Sequence, residues 1–313
     1  MVLYTNRLPV AGPGLANFSF PEDQALLVVG DAHGQNDALR DLLALFGRMP
    51  TMGKRRTLVF LGDLIDRGPD SLGCMNTALN DAQELAGVDE VVYLPGNHEL
   101  MLADALAEAN KGSDHLRGGS VAECWGYNGG MAFMVEAFNA AGLDMPKDPA
   151  EMMLTFAEML PHPGHASAEE MFRAWPSHFK MGDVLCVHAG ITPKKPHAYT
   201  LDLTHKDHFP ENRLADASKH DRHWAWIRDK FLAWQGGWPT CGTRDADGVL
   251  VLHGHTVPPK CRNGMEHGGD VEAVFSRIDT NARLCLDGGA ARDIGVAGAV
   301  IAENAVRVCF APT

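Results

Sequence analysis

Five times along the chain an apolar run of strand length stops at a residue able to hold a metal ion. ALLVV (25–29) runs into Gly30-Asp31-Ala32-His33-Gly34, TLVFL (57–61) into Gly62-Asp63, and VVYL (91–94) into Pro95-Gly96-Asn97-His98-Glu99. VLCV (184–187) meets His188-Ala189-Gly190, and VLVL (249–252) meets His253-Gly254-His255-Thr256. Short β-branched and aromatic runs bounded by Gly read as buried strands. The carboxyl end of such a strand is where an α/β sheet presents its chemistry. Two carboxylates, an amide oxygen and three imidazoles at five strand ends suit two small divalent ions, because mixed oxygen and nitrogen donors fit Mn, Fe or Zn.

The spacing fits the same architecture. Asp31 and Asp63 stand 32 positions apart, and Asp63 and Asn97 stand 34 apart, close to the roughly 30 residues of a βαβ unit. Leu39, Leu42, Leu43 and Phe46 recur at i, i+3, i+4 and i+7, the apolar stripe that a crossover helix needs. Each motif alone has a bland reading: Gly-Asp is a common turn, Asn97 suits a helix cap, and a lone His is more often structural than a ligand. Five in order do not share one bland explanation.

The residues beside the ligands have the chemistry of phosphoester hydrolysis. A carboxylate such as Asp63 can bridge two ions about 3.5–4 Å apart, an arrangement that turns a trapped water into a hydroxide and braces an in-line displacement at phosphorus. Asp66 and Arg67 follow in GDLIDRG, and His98 adjoins Asn97 in GNHE. An imidazole oriented by a carboxylate is a good general acid for a leaving alkoxide, and a guanidinium grips two phosphate oxygens. Arg67 also has a bland reading, as a turn residue paired with Asp70.

GDAHG, GDLIDRG, GNHE, HAGITP and GHT, in that order, resemble the phosphoprotein phosphatase family of calcineurin-like metallophosphoesterases, in its bacterial and bacteriophage branch. The tail RLCLDGGA (283–290) is similar to the closing strands of that branch. The resemblance implies Asp31, His33, Asp63 and His255 at one ion and Asp63, Asn97 and His188 at the other. It also implies Asp66 and His98 as the acid pair, Arg67 on the phosphate, and Asn97 facing the phosphate as well. WAWIRDKFL (224–232) resembles the segment that supplies a second phosphate-binding arginine, here Arg228. The alternative for Arg228 is an arginine laying its stem along a helical stripe of Trp224, Ile227, Phe231 and Trp234. One position departs from the family pattern: Pro95 stands where many members carry Arg before GNHE. That predicts weaker phosphate binding, and relatives that hydrolyse diadenosine tetraphosphate also lack the cation.

Rival chemistries fail on spacing. Asp245-Ala246-Asp247-Gly248-Val249 matches the text of an aspartyl-phosphate phosphatase but precedes its apolar run, so it reads as a turn. No cysteine is followed six positions later by Arg, and neither a P-loop nor a dinucleotide fingerprint is present. His253 lies on the opposite strand face from His255 and reads as structural. His115, His162, His165, His178, His205, His208 and His220 lack partner spacing and read as surface residues.

A formal charge of −13 works against wrapping a nucleic-acid backbone. Seven cysteines, odd in number and without a CxxC pair, point to a reducing compartment. No run approaches the ~20 residues of a transmembrane helix, and the first twenty residues hold no signal-like apolar stretch, so the expected setting is cytoplasmic.

Ligands spread from residue 31 to 255 require one domain over 1–313. The 91 positions between Asn97 and His188 are rich in Met, Ala and Glu with Gly and Pro breaks. They predict a mainly helical insertion at about 104–180, either a flank on one sheet face or a cap over the cleft. Residues 193–222 read as another rim. The expected fold is α/β, two mixed β-sheets packed as a sandwich flanked by helices. The expected activity is a dinuclear, metal-dependent phosphatase, with Mn foremost and Fe or Zn as alternatives. Its partner is a phosphorylated protein (Ser, Thr or Tyr) or a small phosphoester, with no nucleic acid and no membrane. Cleavage of dinucleoside polyphosphates is the alternative, and a non-catalytic binding module the third reading.

Overall fold

A computed structural model describes residues 4–9, 18–50, 53–116, 118–193, 222–239, 248–257 and 282–313. Most of the 193–222 tract, most of the Asp245–Val249 turn, and His205, His208 and His220 lie outside the described residues.

The chain begins with β1 (Tyr4–Pro9) and β2 (Gln24–Val29), followed by α1 (Asn36–Arg48), β3 (Arg55–Phe60), α2 (Ser71–Asn76), α3 (Ala82–Ala86) and β4 (Glu90–Tyr93). A helical stretch follows: α4 (Asn97–Ala109), α5 (Val121–Trp125), α6 (Met131–Ala141), α7 (Pro149–Glu158) and α8 (Ala168–Ala174). It closes through β5 (His178–Met181), β6 (Val184–Val187), α9 (Asp229–Ala233), β7 (Leu250–His253), β8 (Arg283–Cys285), β9 (Gly295–Ala302) and β10 (Ala305–Pro312).

Among the described residues the strands form two mixed sheets, six strands in the order β1-β10-β9-β2-β3-β4 and four in the order β5-β6-β7-β8. β2, β3 and β4 are mutually parallel, as are β6, β7 and β8. All five ligand-bearing runs therefore end on parallel strands. Buried side chains of both sheets join one continuous apolar core. α1 covers its sheet as its periodicity predicts, with Leu39, Leu42, Leu43 and Phe46 all buried. The described residues between Asn97 and His188 are mainly helical up to α8.

Two expectations fail. His178, read as a surface residue, is half-buried in β5. Trp224, Ile227, Phe231 and Trp234 do not form a helical stripe, because α9 spans only Asp229–Ala233. Arg228, at its N-cap, has φ −129° and ψ −87°, which breaks any helix through it. The backbone before it has another use: the Trp224 carbonyl accepts the amides of Ala189 and Gly190 and so closes the turn after His188.

Candidate metal centre and acid pair

The strand ends bring the predicted ligands together. Asp31 and His33 follow β2, Asp63 follows β3, Asn97 opens α4 after β4, His188 follows β6 and His255 follows β7. The turns lock onto one another through backbone, with Ala32 and His33 amides on the Asp63 carbonyl at 3.0 and 2.9 Å. All six side chains are buried. His33, Asp63, Asp66, Arg67 and His255 are also five of the nine non-glycine residues with positive φ among the described residues. Such backbone costs free energy and persists where surroundings over-determine it, often at functional sites.

Hydrogen bonds set the direction of each donor. Asp63 Oδ1 accepts the His98 amide at 3.0 Å, which leaves Oδ2 at 3.4 Å from both His33 Nε2 and His188 Nε2. His33 Nδ1 meets the Ile65 carbonyl at 2.9 Å and His188 Nδ1 meets the Leu61 carbonyl at 2.8 Å. Since a carbonyl only accepts, Nδ1 carries a proton in both rings and Nε2 faces the site, an arrangement usual for metal-binding histidines. His188 Nε2 also lies 3.2 Å from Asn97 Oδ1, and His33 Nε2 lies 4.0 Å from Asp31 Oδ2. The His255 amide donates to both Asp31 oxygens at 3.1 and 3.0 Å.

The charge pattern calls for a cation. Burial pushes Asp31 above the usual carboxylate range, and the neighbouring Asp287 adds to it. Burial opposes ionisation of Asp63 too, but His188 and His98 outweigh it and hold Asp63 well below that range. Burial pulls His188 down, yet the Asp63 charge prevails and holds it at about 9. Burial takes His33 to about 3 and pushes His255 down as well. Two sets of ligand atoms, His33/Asp63/His98 and Asp63/His188/His255, each lie within 4.8 Å of one another. His255 Nε2 is buried without a hydrogen-bond partner among the described residues, an open coordination point. A side chain at Gly254 would place its Cβ 1.9 Å from Asp31 Oδ1, so the chain keeps that approach clear. These donors fit divalent ions of the Mn, Fe or Zn class.

Beside this centre, His98 Nδ1 sits 2.6 Å from Asp66 Oδ2, both residues fully buried. Arg67 is exposed, with Nε donating to the Asn128 carbonyl at 3.2 Å and Nη1 3.5 Å from His33 Nε2. The Asp70 pairing does not form, because the Asp70 carboxylate caps α2 through the Gly73 amide and accepts from Asn36. Arg228 is exposed, and its charge helps hold His98 and His255 in their neutral forms. His253 is structural as expected: its ring stands edge-on to Phe231 at 4.9 Å.

Residues 25–288 match the sequence profile described as calcineurin-like phosphoesterase. The chain belongs to that family. Within it, residues of this chain are 38% identical over 96 positions to a symmetrical bis(5'-nucleosyl)-tetraphosphatase of an Acidovorax strain, 30% of this chain and 31% of that protein. They are likewise 38% identical over 92 positions to serine/threonine-protein phosphatase 1 of Salmonella typhimurium, 29% of this chain and 38% of that one. The chain thus spans about a third of the length of the curated relatives it matches. A solved protein serine/threonine phosphatase from Saccharomyces cerevisiae aligns with TM-score 0.46 at 15% identity, covering 93% of this chain and 81% of that one.

Three residues of this family member went unnoticed in its sequence. Glu99, fully buried, accepts the amides of Asp63, Leu64 and Gly96, each at 2.8 Å, and so pins the Asp63 turn to the start of α4. Burial raises it to about 7. Asp287 ends a sixth parallel strand, β8, and burial raises it to about 6. Trp125 donates from Nε1 to Asp66 Oδ2 at 2.8 Å. Only the GNHE and RLCLDGGA texts pointed toward Glu99 and Asp287.

Proposed function

We propose that this phosphoesterase acts at two divalent ions and that its substrates are phosphorylated Ser, Thr or Tyr side chains of proteins. One observation carries the reading. His98 is fixed on Asp66 through Nδ1 at 2.6 Å, while its Nε2 is buried beside His33 and Asp63 without a hydrogen-bond partner among the described residues. A pair so arranged suits proton delivery to a leaving oxygen.

Asp31, His33, Asp63 and His255 would hold one ion, and Asp63, Asn97 and His188 the other. Mn is the expected metal, and Fe or Zn suits the same donors. When bound, such ions supply Lewis acidity and an acidified water for attack at phosphorus. The chain's own groups do the rest. Arg67 and Arg228 grip the phosphate oxygens through their planar forks, and the Asn97 amide faces the same phosphate. Burial, aided by Arg67 and Arg228, lowers His98 to about 4. As acid, His98 carries a second proton on Nε2, a form that a phosphate dianion beside it favours, and passes that proton to the leaving oxygen. Asp66 steadies the ring throughout.

Pro95 and the named activity of the Acidovorax relative support a second reading, cleavage of dinucleoside polyphosphates. A Mn-supplemented assay of phosphopeptides, diadenosine tetraphosphate and p-nitrophenyl phosphate in parallel separates the readings. Turnover of phosphopeptides above the dinucleotide supports the first, the reverse order supports the second, and no turnover supports a binding module. We read residues 1–313 as one domain whose helical insertion, about 104–180, forms a wall of the substrate cleft. The odd number of cysteines, with no CxxC pair, supports a cytoplasmic setting. No described helix is long and apolar enough to cross a membrane.

A further inference from the structure

The helical insertion grips the loop that carries Asp66 and Arg67 at three points. Glu136 accepts the Ser71 and Leu72 amides, each at 2.9 Å, the Asn128 carbonyl accepts from Arg67 Nε, and the Trp125 indole N–H reaches Asp66. The backbone comes close here: Gly129, at φ 121°, would with any side chain bring a Cβ to 2.8 Å from Arg67 Cγ.

We propose that Trp125 is a positioning residue for leaving-group protonation, its indole N–H fixing the Asp66 carboxylate so that His98 presents Nε2 to the reacting ester. This rests on the reading of Asp66 and His98 as the acid pair. Asp66 Oδ2 takes both contacts, His98 Nδ1 at 2.6 Å and Trp125 Nε1 at 2.8 Å. Asp66 Oδ1 is buried with no hydrogen-bond partner among the described residues. The carboxylate's orientation therefore depends on what holds Oδ2. Tryptophan donates one hydrogen bond and accepts none, so Asp66 Oδ2 is its acceptor, and the N–H favours the ionised carboxylate, which takes the His98 Nδ1 proton as well. Without the indole N–H the carboxylate is free to turn toward its bare oxygen, and the imidazole turns with it. Trp125 itself is anchored in the insertion, fully buried and 5.7 Å from the Phe156 ring, which meets Phe133 edge-on at 5.0 Å.

A core tryptophan that merely fills space predicts a different outcome from one that orients an acid. The test replaces Trp125 with Phe and, by site-specific incorporation, with benzothienylalanine, which keeps the bicyclic shape and exchanges N–H for sulfur. Phe156→Leu, which loosens the same packing and retains the N–H, is the control. Turnover of an alkyl phosphate is compared with that of p-nitrophenyl phosphate on the Mn-loaded protein, alone and in a His98→Ala background. The expected result is a loss of about 10-fold or more in kcat on the alkyl ester, the size of one hydrogen bond to a buried charge. The loss on p-nitrophenyl phosphate is within about 2-fold, and no further loss occurs once His98 is gone. Phe156→Leu lowers the melting temperature and treats both esters alike. If His98→Ala depends on the leaving group and the Trp125 variants do not, the Trp125 assignment alone is overturned. Uniform losses in His98→Ala overturn the acid pair and this assignment with it.

Discussion

His33 and His188, 155 positions apart in the chain, approach the same oxygen, Asp63 Oδ2, each at 3.4 Å. The other Asp63 oxygen is occupied by the His98 amide. One carboxylate oxygen thus lies between histidines delivered by two different sheets, the position a bridging ligand takes between two ions.

His98→Ala should reduce turnover of alkyl phosphates by about 10²–10⁴-fold, the usual worth of a positioned acid. Loss on p-nitrophenyl phosphate should be far smaller, because that oxygen leaves without a proton. Steady-state kinetics on both esters check this, and equal losses would assign His98 to holding a metal or the phosphate.

Glu99→Gln leaves one acceptor oxygen where two serve three amides. The expected cost is about 1–3 kcal/mol of stability, the penalty for buried donors without acceptors. Denaturant unfolding of the metal-free protein measures it, and an unchanged midpoint would deny Glu99 its role in pinning the Asp63 turn.

The five strand ends that carry candidate ligands were legible because each couples an apolar run and a stop signal to a donor, and the parallel order of β2–β3–β4 follows from the spacing of Asp31, Asp63 and Asn97. What escaped notice depends on distance in sequence. Nothing local shows that the Glu99 carboxylate meets the amide of Asp63, 36 positions earlier, or that Trp125 reaches back 59 positions to Asp66. Asp287 escaped because RLCLDGGA read as a closing strand, and nothing local shows that its carboxylate turns toward Asp31. Trp224 to Trp234 misled for the opposite reason. Its apolar spacing is helical, but backbone contacts with the His188 turn claim the segment first.

Pro95→Arg restores the cation that many family members carry before GNHE. As an added contact to ground state and transition state alike, it should lower KM for a phosphopeptide more than it changes kcat. A raised KM for diadenosine tetraphosphate with no gain on phosphopeptides would favour the dinucleotide reading.

His178 gives the fold an acid-sensitive contact away from the metal centre. Burial lowers it from 6.5 to about 4, with the Ser177 hydroxyl 3.0 Å from Nδ1. A histidine depressed in the folded state contributes stability above its unfolded pKa and loses it as pH falls from about 6.5 through about 4. His178→Gln should therefore lose less stability than wild type between about pH 6.5 and 4.5 in denaturant titrations. Parallel losses in the two proteins would contradict the assignment.

The proposed dinuclear centre is tested most directly by metal content. Wild type and Asp63→Asn are stripped with chelator, reloaded with Mn, dialysed and analysed for bound metal per chain, with circular dichroism to verify that both are folded. Two ions per wild-type chain and loss of both in the Asp63→Asn variant are predicted, since Asp63 is the one residue placed to touch both. Two ions retained by the folded variant, or a single ion in wild type, would contradict the bridging assignment and the centre built on it.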